Sequence, residues 1–225
     1  MAIIQIQLND NLYLRDPQET ELGRKIVNNS IELIDEIGFE KFTFKKLASK
    51  IDSTEASIYR YFENKHRLLI YLIAWYWNWV EYVIDYQTNN IKDQHEKLKI
   101  AIRIITEKKI VDPFFPDINE EALHRIIISE SDKTYLTKQV DEDNKEGLFR
   151  GYKSLCKKIA DIVKKISPSY PYAHALISTI LQASHQQIFF SQHLPSLTEI
   201  DYKSKKYNDQ NFDFLYNLII QTIKQ

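Results

Sequence analysis

The stretch Ser53–Lys65, STEASIYRYFENK, brings Thr54, Ser57, Tyr59, Arg60 and Tyr61 close together around Ile58 and Phe62. Ile58 and Phe62 fall on one helical face, which leaves hydroxyls, phenols and a guanidinium for the other. Such groups hydrogen-bond phosphate oxygens and the edges of bases. Thr54 is placed to cap the helix. A capped start turns the first amide groups outward, where a phosphate can accept from them, although the same residue serves equally as a plain cap.

The charge distribution points the same way. The chain of 225 residues has a net charge of −1, but Lys41–Arg67 holds seven Lys/Arg against three acids, a local balance of +4 that leaves −5 elsewhere. Such asymmetry suits a phosphate-facing module on a neutral body, and it is also compatible with a solvated charged face. Motifs for other chemistry are missing: there is no H-E-x-x-H, G-x-S-x-G, P-loop or dinucleotide fingerprint. The single cysteine, Cys156, has no evident His partner and rules out an intramolecular disulfide or a cysteine-rich metal site, which fits a reducing, cytoplasmic setting. No cofactor or metal is expected.

The elements that must position these residues are helical. Four glycines and six prolines are few for this length and disfavour sandwiches and long linkers, so the expected class is all-α. Residues 1–15 alternate through Ile4, Ile6, Leu8, Leu12 and Leu14, a pattern for an extended arm or small hairpin. Asp16, Pro17 and Glu19 form a start signal for a helix that ends at Ile37 before Gly38. Thr43 caps a second helix, Asp52 and Ser53 make a tight turn, and Thr54 opens a third. Asn64 caps a fourth, extending to about Thr88. Further periodic segments run over about 94–109, 120–130, 148–166, 171–192 and 210–224. The most apolar run, Leu68–Val80, is thirteen residues without a charge, short of a membrane span, and no secretory leader is read at the N-terminus.

With its order and spacing, Thr43–Leu69, TFKKLASKIDSTEASIYRYFENKHRLL, resembles the DNA-binding region of TetR-family (tetracycline-repressor-like) transcriptional regulators. With IELIDEIGFEKF before it, the likeness spans Ile26–Leu72. The resemblance implies a helix-turn-helix DNA-binding domain over 16–63 and a helical effector-binding and dimerisation domain over 64–225. It also implies a ligand-responsive regulator, a repressor, that binds a pseudo-palindromic operator in double-stranded DNA as a homodimer. Position by position it places Lys45, Glu55, Ala56, Ser57, Tyr59 and Arg60 near base edges or phosphates, and Tyr61 and Lys65 on the DNA backbone. Arg60 either holds a guanine by two hydrogen bonds or clamps a phosphate. Ser53 stands where the family has an apolar residue, and Glu55 where a base is common. An acid there repels phosphates unless it accepts from a cytosine amino group.

Outside that stretch the residues are read on their own terms. Trp75, Trp79 and Tyr82 make the fourth helix aromatic on several faces, and Tyr152, Cys156, His185 and Phe189 lie on later periodic helices. Together they are candidates for a cavity that takes a small-molecule effector, with ordinary core packing as the alternative. The apolar faces of 171–192 and 210–224 are expected to pair with a second copy in a four-helix interface. Two other functions remain open at this stage: a helical small-molecule-binding dimer with weak operator affinity, and an all-α enzyme.

Overall fold

A computed structural model describes residues 5–224, and among these every regular element is helical. Eleven α-helices follow in order: α1 Glu21–Ile37, α2 Phe44–Lys50, α3 Glu55–Tyr59, α4 Lys65–Thr88, α5 Gln94–Thr106, α6 Glu120–Glu130, α7 Asp132–Tyr135, α8 Val140–Lys145, α9 Arg150–Ile166, α10 Ala173–His193 and α11 Tyr207–Ile223. The chain divides into two compact units. One comprises Met1–Asn78 with Lys109–Gly151, the other Trp79–Lys108 with Tyr152–Gln225.

In the first unit, α1 packs on α2 and α6, and α2 on α3. Ile26, Ile31 and Ile34 of α1 are buried with Leu47 of α2, Ile58 of α3, Phe62, and Leu68 and Leu69 of α4. α1 is amphipathic, so one face meets this core while the other is charged. Its end is set by Gly38, whose φ of 77° is open to glycine and costly for other residues. The Gly38–Phe42 loop is held from α6 and α7: the Phe39 amide donates to Glu130 at 3.2 Å, and Lys133 bridges Glu130 at 2.7 Å and Glu40 at 2.8 Å. Arg125 of α6 grips Asp35 of α1 through two nitrogens at 2.9 and 2.7 Å.

In the second unit, α10 and α11 pack on each other and on α5. Its core includes Leu98, Ile102, Ile159, Val163, Ile177, Leu181, Leu215 and Ile219. Arg103 of α5 lies 3.7 Å over the Phe212 ring and pairs with Asp209 at 2.6 Å. Lys158 of α9 bridges Glu81, at 2.9 Å, and Asp85 on the last turns of α4.

Several expected boundaries shift, each for a local reason. Asp16 caps a single 3-10 turn, Pro17–Glu19, by accepting from the Gln18 amide; Thr20 then caps α1 by accepting from Gly23. No hairpin forms in residues 5–15. A 3-10 turn at Asp10–Leu12 stands there, and Ile6 and Leu12 are buried against the unit instead of alternating along a sheet. The start of that alternation, Ile4, lies outside the described residues. α5 stops at Thr106 because Glu107 turns extended, with ψ 148°. α7 and α8, at four and six residues, are too short to show helical periodicity.

Candidate nucleic-acid interface

The interface is built on two short helices. α2 has seven residues and starts on Thr43, whose hydroxyl accepts from the Lys46 amide at 3.2 Å. Its Leu47 and Ala48 are buried, while Lys45, Lys46, Ser49 and Lys50 face solvent. Asp52, with φ 53°, is the only described non-glycine residue in the left-handed region, and the turn closes with the Ser53 amide donating to Ala48 at 2.9 Å. Aspartate tolerates that backbone at small cost, which explains how a glycine-free turn joins the helices.

α3 has five residues, too few to persist without tertiary support. Ile58 and Phe62, both fully buried, provide that support, and Phe62 meets Tyr71 of α4 edge-on at 5.2 Å. Thr54 caps α3 as expected, but its hydroxyl is committed internally, to the Ser57 amide at 3.2 Å and the Ser57 hydroxyl at 2.9 Å. Glu55 occupies the first helical position and is half-buried. A negative charge is favourable at that end of a helix, so Glu55 has a structural reason for its place that needs no base contact.

The exposed face of the motif therefore carries Lys45, Lys46, Ser49 and Lys50 from α2, and Thr54, Ala56, Tyr59 and Arg60 from α3 and its ends. Tyr59 is 48% exposed and is held edge-on to Phe44 at 5.0 Å, which orients a phenol that would otherwise swing freely. Lys46 donates to the Lys41 carbonyl at 2.8 Å, and Lys50 pairs with Glu32 at 3.1 Å. Among the described residues Lys45 and Arg60 have no ion-pair partner, so their charges face outward.

Two of the expected backbone grips sit differently. Tyr61 is 2% exposed; its hydroxyl meets Thr20 at 2.7 Å, its carbonyl accepts from Leu14 at 2.8 Å, and Arg15 lies 5.6 Å over its ring. Lys65 directs its ammonium to the carbonyls of Phe39, Glu40 and Phe42 at 3.2, 3.4 and 3.3 Å and lies 4.7 Å over the Phe39 ring. It thereby closes the loop after α1. The segment before α1 instead places the exposed Arg15 beside the motif, a juxtaposition with no periodic signal in the chain.

The seven cavity candidates are distributed over both units. Trp75 is buried in the first unit and meets Phe115 edge-on at 5.4 Å. In the second unit Trp79 and His185 are buried, and Tyr82 stacks 6.4 Å from Tyr86. Cys156 donates weakly to the His174 carbonyl at 3.6 Å, and burial raises its thiol above the ordinary range. Phe189 packs on His193 at 4.8 Å, and Tyr152 lies half-buried near the start of α9. Among the described residues no three His, Cys, Asp or Glu side chains are grouped as metal ligands, and no helix is long and apolar enough to cross a membrane.

Residues 26–72, which contain this motif, match the sequence family described as bacterial regulatory proteins of the tetR family. No curated protein shows significant similarity to the chain. Among solved structures, the fatty acid degradation regulator FadR from Bacillus halodurans superposes with a TM-score of 0.63 at 19% identity, covering 87% of this chain and 92% of that one. A transcriptional regulator from Saccharomonospora viridis in complex with choline gives 0.59 at 16%, covering 91% and 98%. AibR in complex with isovaleryl coenzyme A and operator DNA gives 0.53 at 14%, covering 87% and 97%. The fold is thus shared along most of each chain. Over residues 26–72, then, the chain carries the pattern of the tetR family of bacterial regulatory proteins.

Proposed function

We propose that the chain is a cytoplasmic, ligand-responsive repressor that binds a pseudo-palindromic operator as a homodimer. The observation that carries this reading is the outward face of α2 and α3, where Lys45 and Arg60 have no ion-pair partner among the described residues and Tyr59 is held upright beside Phe44. In a dimer, two such faces meet successive major grooves about 34 Å apart. Phe214 and Leu218, one turn apart on α11 and 48% and 40% exposed, support α11, with α10, as the surface that a second copy covers. An effector is proposed to lie in the second unit, among Trp79, Tyr82, Tyr152 and Phe189, with Cys156 and His185, as AibR and the choline-bound regulator each hold a small molecule. Its differential affinity for two arrangements of the readers sets how far it shifts operator binding.

The test is fluorescence anisotropy of the full chain on DNA flanking its own gene, titrated with salt. Operator-specific binding that weakens linearly in log–log salt, by about 0.9 per phosphate contacted, is the expected result. Negligible affinity at low ionic strength would overturn it in favour of a small-molecule-binding dimer, the reading that Glu55 on the reading helix favours.

A further inference from the structure

The first unit holds an apolar cavity of about 50 Å³, open to solvent on one side, between α1, α4 and the loop ahead of α6. Pro17, Val27, Tyr71, Trp75, Phe115 and Ile118 form its walls. The Pro17 wall is brought in by close approach to α1. A Cβ on Gly23 would lie 2.3 Å from the Pro17 carbonyl oxygen and 2.5 Å from its Cα, so only glycine lets the Pro17 turn seat against α1. Another wall is formed by the Trp75–Phe115 pair, crossed at 88°. The loop that carries Phe115 is itself tied back, because the Asp112 amide donates to the buried Glu120 carboxylate at 3.0 Å.

Size and polarity narrow the occupant. A single water needs about 10–15 Å³ of such space, so the cavity takes a chain of roughly three or four carbons, and it is smaller than the roughly 150 Å³ that accommodates a benzene ring. Its apolar walls offer water few partners. At the mouth, Arg24 donates to the Gln18 carbonyl at 2.9 Å and lies 3.4 Å from Asp117, with both side chains nearly half exposed. An exposed pair of that kind contributes about 1 kcal/mol or less, so an incoming carboxylate can take over the guanidinium while Asp117 stays in water.

From these features we infer that the cavity is a binding site for a short-chain aliphatic carboxylate, with its alkyl end between Trp75 and Phe115 and its carboxylate on Arg24. The site lies in the same unit as the DNA-facing helices and is separate from the effector region proposed above. Arg24 and Val27 belong to α1, which packs on α2, so an occupant touches the reading module directly. Binding does not depend on the repressor reading; only its consequence for DNA does.

Calorimetric titration of the full chain with acetate, butanoate and butan-1-ol, in the absence of DNA, tests the site. Butanoate is expected to bind at least tenfold tighter than acetate. R24Q should weaken butanoate by about tenfold and leave butan-1-ol unchanged, with R24K retaining part of the affinity. V27L, which fills the cavity, should weaken butanoate and butan-1-ol alike, and I118F does so from the loop side if V27L unfolds. Equal affinity for acetate and butanoate, or undiminished binding by folded V27L and I118F, would overturn the assignment. A chain that binds butanoate but no operator leaves this site standing and removes the repressor reading instead.

Discussion

At the scale of single residues, function and packing compete for the same side chains. Lys65 and Tyr61 have the types expected of phosphate grips, yet one is directed to three loop carbonyls and the other is buried under Thr20 and Leu14. Lys45 and Arg60 keep their charges outward, so they are where substitutions should register on DNA. Lys45→Ala should lower the magnitude of the salt slope by about 0.9 with little change in sequence preference. If Arg60 holds a guanine, Arg60→Ala should cost about 1–3 kcal/mol on the operator and little on random duplex, as competition anisotropy would read. Glu120 carries the pH dependence most open to test. Desolvation raises its carboxyl to about 7, against the amides that pull it down, so the folded chain holds a proton that the unfolded chain releases near the usual carboxylate range. Its contribution is therefore intact below about pH 4.5, falls as pH rises and is lost above about pH 7, a change of roughly 3 kcal/mol at most. Glu120→Gln should unfold at a higher urea concentration than the parent at pH 8 and at a similar one at pH 5.

At the scale of elements, the long helices were legible in the chain and the short ones were not. α1 ends at Ile37 before Gly38, α4 runs to Thr88, and α6 spans Glu120–Glu130 behind Asn119, all as periodicity and caps predict, because neighbours three and four residues apart decide those features. α7 and α8 offer no such repeat and owe their form to their surroundings. The turn before α1 is an intermediate case: Pro17 reads as a helix start, yet the chain needs Thr20 to begin again. Gly23→Ala would force the Pro17 backbone away from α1, with an expected loss of about 1–3 kcal/mol in urea unfolding. α3 depends on its cap more than a longer helix would. Thr54→Ala should cost about 1 kcal/mol and speed exchange of the Ser57 amide, which hydrogen exchange would detect.

At the scale of the whole molecule, the proposed dimer rests on α10 and α11. Phe214→Glu, combined with Leu218→Glu, should convert a dimer to monomers by light scattering and lower operator affinity by about a hundredfold or more, since one half-site then binds alone. The net charge of +4 around the motif, the caps at Thr43, Thr54 and Asn64, and the tetR-family pattern are all local properties, and the sequence by itself determined them. Tertiary structure alone decided which cations remain available. Lys65 lost its freedom to a loop far upstream, Arg15 came to lie over Tyr61, and the cavity arose where Pro17, Val27, Trp75 and Phe115 converge. Helix and turn preferences act over three or four residues, whereas those contacts join segments distant in the chain, and no spacing within a single segment encodes them.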